Sequence, residues 1–95
     1  MITFTELLER AKSEKIVVHT LTEEQAITLL SELDKKRYKW FGGEKLTTKT
    51  FYENYEEKTC YSFYSRHNIA YGLLDWCQEN DYTIVEFQDI NFKEE

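Results

Sequence analysis

Apolar residues recur at helical spacing in two segments of the chain. The first segment begins at Thr3, which has the spacing of a capping box with Glu6. The second begins at Thr22, which has the same spacing with Gln25, and acidic residues follow in its first turn and basic residues in its last. We therefore predict a short helix and a long helix with apolar stripes formed by Phe4, Leu7, Leu8 and Ala11, and by Ala26, Leu29, Leu30 and Leu33.

Short runs rich in β-branched and aromatic residues predict the strands. The run Lys15–Thr20 is typical of a buried strand, and Tyr38–Phe41 predicts a shorter one that ends at two glycines. A turn at residues 65–68 separates two further runs and indicates a hairpin. The remaining predictions are strands at Thr59–Tyr64, Ile69–Gly72 and Tyr82–Phe87, and one or two helical turns within Leu73–Asn80.

This order of elements predicts an α+β fold. We expect a small antiparallel or mixed sheet of four or five strands, packed on one face against one long helix and one or two short helices. No linker divides the chain. Residues 1–95 are therefore expected to form a single domain that ends in an acidic tail at about residues 88–95.

Net charge, apolar runs and cysteine content argue against several classes of function. The 95 residues carry a net charge of −6, which argues against direct nucleic-acid binding, because such binding requires a surplus of Lys and Arg. No segment reaches the roughly 20 apolar residues of a membrane helix, and Met1–Arg10 lacks the apolar run of a signal peptide. With only two isolated cysteines, the sequence predicts a cytoplasmic protein with reduced thiols and no membrane contact.

Residues that often carry catalysis or bind metals are few and scattered. His19, Cys60, His67 and Cys77 do not have the spacing of a zinc knuckle. Cys60 could pair with either histidine as a nucleophile and base, but the sequence shows no third group that would orient the base. Gly42-Gly43 lacks the strand and helix that flank a phosphate-binding loop. We therefore predict no catalytic residue, no metal, no cofactor and no enzymatic activity.

The segment from Tyr38 to Arg66 interleaves aromatic and basic residues. Aromatic rings stack on nucleobases and neighbouring cations pair with phosphates, but such rings also build protein interfaces and fill the cores of small domains. All three interpretations remain open. The residues concerned are Tyr38, Trp40, Phe41, Phe51, Tyr52, Tyr55, Tyr61 and Tyr64, with Lys39, Lys45, Lys49, Lys58 and Arg66.

The chain resembles a known group of proteins over nearly its whole length, roughly residues 4–92, and the most specific parts of the resemblance lie in this segment. Lys39–Trp40 followed by Gly43–Leu46, and Tyr55 followed by Thr59–Tyr61, resemble small uncharacterised proteins carried by phages and prophages of Firmicutes. The resemblance implies a small accessory phage protein in the host cytoplasm, and such proteins often counter host defence by binding. The group usually has glycine where Arg37 stands, so Arg37 implies strain or a different cap at the end of the long helix.

The leading functional hypothesis is a non-enzymatic phage protein that sequesters a nucleotide-derived immune signal, a nucleotide second messenger. A pocket for a ligand of dinucleotide size is expected to require a homo-oligomer, because one small chain can hardly enclose it. The assigned residues are Trp40 or Tyr61 for stacking on the base, Lys45 and Arg66 for phosphate, and Thr59 and Tyr55 for hydroxyl hydrogen bonds.

Two alternatives stand beside this hypothesis. In the first, the chain is an acidic protein inhibitor that binds and blocks a host defence enzyme such as a CRISPR nuclease. The acidic faces of the long helix and the tail then imitate the charge of DNA. In the second, the chain is a small enzyme that degrades the signal, and this ranks last because no nucleophile, metal site or acid–base pair is visible.

Overall fold

The computed structural model describes residues 1–93 of the protein, and seven strands and four α-helices lie within this range. The strands are β1 (Ile2–Thr3), β2 (Ile16–Thr20), β3 (Lys39–Trp40), β4 (Thr59–Ser65), β5 (Asn68–Leu73), β6 (Thr83–Glu86) and β7 (Ile90–Asn91). The helices are α1 (Phe4–Arg10), α2 (Glu23–Lys35), α3 (Tyr52–Tyr55) and α4 (Leu74–Glu79). Single 3-10 turns lie at Leu46–Thr48, Glu56–Lys58 and Phe87–Asp89.

The strands form a five-stranded sheet in the order β3-β5-β4-β2-β6 and a two-stranded sheet of β1 and β7. Strand β4 runs antiparallel to β2 and β5, whereas the edge strands β3 and β6 run parallel to β5 and β2. The predicted α+β fold class is confirmed, with a mixed sheet. Each strand end of the larger sheet lies within one residue of the predicted bound.

Strand β2 is buried over its whole length. Its residues alternate between two faces: Ile16 and Val18 belong to the core under α1 and α2, whereas Val17 packs with Cys60 and Cys77 on the opposite face. Helix α4, which carries Cys77, therefore covers the face that α1 and α2 leave open. The expectation that all helices share one face is wrong for α4, because Val17 also requires apolar cover.

Both predicted helix starts have the expected side-chain caps. Thr3 Oγ1 accepts a hydrogen bond from the Glu6 N–H at 3.0 Å, and Thr22 Oγ1 accepts one from the Gln25 N–H at 3.1 Å. The Gln25 side chain reaches one residue further back than in a capping box, since its Oε1 accepts from the Leu21 N–H at 2.8 Å. These bonds satisfy backbone donors that a helix start leaves unpaired.

The two ends of the described chain pair with each other. Strands β1 and β7 are parallel, with Ile2 opposite Ile90. The ring of Phe92 lies 5.0 Å from that of Phe4 and 5.4 Å from that of Phe87. Within the segment predicted as an acidic tail, the apolar side chains of Ile90 and Phe92 therefore pack on the core. Positions 94 and 95 of that tail lie outside the described residues.

Helix α2 ends in a left-handed residue that is not glycine. Arg37 has φ 72°, and the N–H groups of Arg37 and Tyr38 donate to the carbonyl oxygens of Asp34 and Leu33 at 2.9 and 3.1 Å. This is the Schellman pattern, in which glycine usually takes the left-handed position. The sequence implied either strain at Arg37 or a different cap. The structure keeps the usual cap, and Arg37 is strained because a residue with a Cβ adopts the left-handed conformation.

Replacing Arg37 by glycine should therefore stabilise the protein more than replacing it by alanine. Both changes remove the charge, but only glycine adopts φ 72° without a Cβ clash. We expect Arg37→Gly to be more stable than Arg37→Ala by about 1 kcal/mol in urea unfolding. Lys36→Gly is the control. Lys36 has φ −94°, so glycine relieves no left-handed strain at this position. Equal stability of the two Arg37 variants would show that the position is not strained.

Candidate functional site

The six residues predicted for the ligand site divide between the interior and the surface. Lys45, Tyr55 and Arg66 are exposed, whereas the other three are buried: Trp40, Thr59 and Tyr61. The structure therefore does not bring the six together into one accessible pocket.

The buried residues hold the protein together. The Tyr61 hydroxyl donates to the Thr50 carbonyl oxygen at 2.6 Å, and the Trp40 ring packs edge-on against Phe51 at 4.8 Å. Burial raises the pKa of the Tyr61 hydroxyl. The stacking role predicted for Trp40 and Tyr61, and the ligand hydrogen bond predicted for Thr59, do not fit these positions. Large rings supply the bulk that a small domain needs for its core.

The exposed residues lie in different places. Lys45 Nζ is 3.0 Å from Asp34 Oδ2, next to the end of α2. The Tyr55 ring lies 6.1 Å from that of Tyr71 at the one-turn helix α3. Arg66 lies in the turn between β4 and β5, and within residues 1–93 it takes part in no salt bridge. Of the six, Arg66 borders a groove of about 580 Å³ and Lys45 borders a separate hollow of about 320 Å³.

This groove has a volume of about 580 Å³ and lies between the end of α1 and the tip of the β4–β5 hairpin. Ligand pockets for small molecules range from about 300 to 1,000 Å³. Three aromatic rings, two cations, a histidine, a serine and two aliphatic side chains line it. They are Tyr38, Phe63, Tyr64, Lys12, Arg66, His67, Ser65, Leu8 and Ala11. We call it the hairpin groove.

Rings form the inner wall of the hairpin groove. The Tyr38 ring packs edge-on against Phe63 at 5.9 Å and is tilted by 50° against the His67 ring at 5.1 Å. Tyr64 stands at the mouth with 70% of its surface exposed. Burial raises the pKa of the Tyr38 hydroxyl, and the charge of Glu9 adds to this. Tyr38 therefore stays neutral near pH 7 and can donate a hydrogen bond.

Local backbone features fix the hairpin tip. The register of β4 against β5 shifts between Phe63 and Ser65, and His67 adopts a left-handed φ of 63°. Ser65 Oγ donates to Asn68 Oδ1 at 2.9 Å, and the Lys39 N–H donates to the His67 carbonyl oxygen at 2.9 Å. Strand β3 and the hairpin thus hold the groove wall in place from both sides.

Charge is segregated along the molecule. Residues 35–49 contain six of the twelve Lys and Arg residues but only one of the eighteen Asp and Glu residues. The end of α2 lies beside the hairpin tip, because Lys39 pairs with Asn68. A second hollow of about 320 Å³ at this basic end is lined by Asp34, Lys35, Arg37, Lys39 and Lys45.

The opposite end of the molecule is acidic. It contains the start of α2 and the segment around α3, which are joined by a hydrogen bond of 2.7 Å from the Tyr52 hydroxyl to the Leu21 carbonyl oxygen. Burial and the surrounding carboxylates raise the pKa of the Tyr52 hydroxyl. The carboxylates that act on it belong to Glu57, Glu56, Glu23 and Glu24. We refer to these two regions as the basic end and the acidic end.

The buried thiols lack the surroundings of a nucleophile. Burial raises the pKa of both Cys60 and Cys77, which keeps them protonated and unreactive. His19 lies opposite Cys60 in the sheet, but its two ring nitrogens face other partners. Nδ1 is 2.8 Å from Glu86 Oε1 and Nε2 is 2.7 Å from the Glu57 carbonyl oxygen. His19 therefore joins β2, β6 and the turn before β4, and does not activate a thiol.

Within residues 1–93, no three His, Cys, Asp or Glu side chains are grouped so that they could hold a metal ion. None of the helices in the same range has the length and apolar character needed to cross a membrane.

Of the residues that line the hairpin groove, the ligand site predicted from the sequence includes Arg66 and none of the others. Tyr38 and Tyr64 were part of the aromatic segment, yet nothing in their spacing separates them from Trp40. The wall formed by Leu8 and Lys12 is more than fifty residues away from the hairpin tip at residues 63–67 along the chain. A single sequence gives no signal for such a contact.

The burial of the thiols leads to a testable expectation. At pH 8, iodoacetamide should alkylate Cys60 and Cys77 about a hundredfold more slowly in the native protein than in urea, because reaction requires opening of the structure. The measurement is the mass increase with time, with the urea-unfolded protein as the control. Native labelling at the unfolded rate would show that at least one thiol is accessible.

No protein-family model matches the chain, and neither a curated protein nor a solved structure does so. Function is therefore inferred from the geometry of the hairpin groove and from the charge of the basic end.

Proposed function

We propose that this chain is a non-enzymatic binding protein that holds a nucleotide-class ligand in the hairpin groove. The observation that supports this most is the meeting of one exposed and two partly buried aromatic rings with two cations in one groove of about 580 Å³, on a chain whose net charge is −6. A concave site with ring faces and a few convergent polar groups is the usual form of a small-molecule site.

Each part of a nucleotide has a matching group in the groove. The base stacks on Tyr64, whose ring is mostly exposed. Phosphate pairs with Arg66, which offers a planar set of donors suited to it. Lys12 is the second cation, and its exposed ion pair with Glu9 at 3.1 Å is weak enough for a phosphate to replace. Ser65 adds a hydroxyl beside them.

The biological role follows from the resemblance to small phage proteins. In this proposal the protein acts in the cytoplasm of the host cell and sequesters a nucleotide-derived immune signal. Binding without turnover is sufficient for this role. A ligand of dinucleotide size exceeds what the open groove of one chain encloses, so a second copy of the chain completes the site.

Ligand-induced stabilisation tests the proposal. A ligand present at 100 times its Kd adds about 2.7 kcal/mol, which raises the Tm of a domain this small by about 10 °C. We expect such a shift with one class among cyclic dinucleotides, cyclic oligonucleotides and ADP-ribose derivatives. Tyr64→Ala and Arg66→Ala should abolish it, and mass spectrometry should recover the ligand intact.

Trp76→Ala is the matched control for this experiment. Trp76 is also an exposed ring, with 53% of its surface accessible, but it lies on α4 and does not line the groove. Its loss should leave the ligand shift unchanged. A shift that persists in both Tyr64→Ala and Arg66→Ala would contradict the assignment of the site, and conversion of the ligand would contradict the non-enzymatic role.

The acidic end favours a second candidate function, that of an inhibitor that blocks the basic cleft of a host defence enzyme. The charge of Glu23, Glu24, Glu56 and Glu57 is concentrated around Tyr52, and clustered charge promotes fast, salt-sensitive association with an oppositely charged surface.

Charge removal separates the two candidates. If the acidic end binds a basic enzyme, the double variant Glu23→Gln and Glu24→Gln should weaken that complex about tenfold at low salt. Arg66→Ala should leave it unchanged, because Arg66 lies at the basic end. Surface plasmon resonance against candidate nucleases at several salt concentrations measures both effects. An affinity that does not depend on salt or on the glutamates would rule out this second function.

A further inference from the structure

The ring of Phe51 lies on the face of another ring. It is parallel to the Tyr71 ring, with centroids 4.3 Å apart and planes within 9°. Phe51 is only partly buried, and its backbone is left-handed, with φ 58°. This conformation is unfavourable for a bulky residue and persists only where the surroundings impose it. The stack on Tyr71 is therefore maintained at the expense of local strain.

The segment that carries Phe51 is held to the rest of the protein at several points. We call residues 50–58 the strap. Hydrogen bonds anchor it through the Thr50 carbonyl, the Tyr52 hydroxyl, the Asn54 amide and the Glu57 carbonyl. A second strained residue lies near its other end, since Glu56 has φ 51° and ψ −122°. Helix α3 between them has a single turn and little stability of its own.

A polar group without a partner lies beneath the strap. Trp40 is fully buried, and its Nε1 donor is the buried side-chain atom that has no hydrogen-bond partner within residues 1–93. The Trp40 ring is edge-on to both rings of the stack, at 4.8 Å from Phe51 and 6.4 Å from Tyr71. Buried donors are nearly always satisfied, so an unsatisfied one requires an explanation.

We propose that Phe51 is an internal occupant of an aromatic slot, and that this slot binds a planar nitrogen heterocycle such as a purine base when the strap lifts. The heterocycle takes the place of the Phe51 ring on Tyr71. The heterocycle also brings a hydrogen-bond acceptor close to Trp40, whose Nε1–H has no partner in the closed protein. Lifting the strap also releases the left-handed backbone of Phe51.

The charges around the slot select a neutral ligand. The strap carries Glu53, Glu56 and Glu57 but also Lys58, and Lys49 Nζ lies 5.2 Å from the centroid of the Phe51 ring. The three carboxylates outnumber these two cations, and this excess of negative charge disfavours phosphate. The slot therefore suits a free base or a nucleoside, whereas the hairpin groove suits a phosphorylated ligand. This second site does not depend on the proposed function, because it uses different residues and a different ligand charge.

Tryptophan fluorescence tests the slot directly. In a Trp76→Phe background, Trp40 is the remaining tryptophan, because the sequence contains two. The background protein is titrated with adenosine and with guanosine. Phe51→Gly removes the occupant and also permits φ 58° without strain. We expect Phe51→Gly to bind at least one of the nucleosides about tenfold more tightly than the background protein.

Two further variants distinguish the slot from a general loosening. Tyr71→Ala, added to Phe51→Gly, should abolish nucleoside binding, because it removes the stacking surface. Glu56→Gly relieves strain but keeps the Phe51 ring, so it should favour the closed strap and bind no better than the background protein. A folded Phe51→Gly protein without a Trp40 response to either nucleoside would overturn the proposal. So would a Glu56→Gly variant that binds as tightly as Phe51→Gly.

Discussion

The fold depends on the burial of strand β2 on both of its faces. All five residues from Ile16 to Thr20 are buried, and their alternation requires apolar cover above and below the sheet. Helices α1 and α2 provide it on one side, and α4 provides it on the other. The same burial places His19 in the interior, where the Glu86 carboxylate and the Glu57 carbonyl satisfy its ring. A buried polar residue thus becomes the link between three elements.

Aromatic residues complete the core. Their burial distinguishes the rings that pack inside the protein from the rings that a ligand can reach. Trp40 and Tyr61 lie under the strap and fill space that a domain of 95 residues cannot fill with aliphatic side chains alone. Tyr64 lies outside this core and stands beside Arg66 in the hairpin groove. The basic end therefore combines ring faces with cations, whereas the acidic end combines carboxylates with the strained strap. This division supports different ligand charges at the two ends.

Local patterns in the sequence predict most of the fold but only part of the site. The sequence predicts α1, α2 and β2 because their signals are local. These signals are the capping residues Thr3 and Thr22 and the β-branched run of β2. The packing of Val17 against α4 and the pairing of β1 with β7 depend on contacts distant in the chain. Whether an aromatic ring is buried also depends on what covers it. The pattern therefore could not separate Trp40 from Tyr64.

The most direct test of the central claim is to map the ligand onto the protein by NMR. The ¹H–¹⁵N spectrum of the labelled protein would be recorded during titration with the phosphorylated ligand that gives the largest rise in Tm. Binding in the hairpin groove predicts the largest shift changes at residues 63–67 and at residues 8–12, with small changes on α4. Changes confined to other surfaces, or saturating binding without changes at the hairpin tip, would contradict the account.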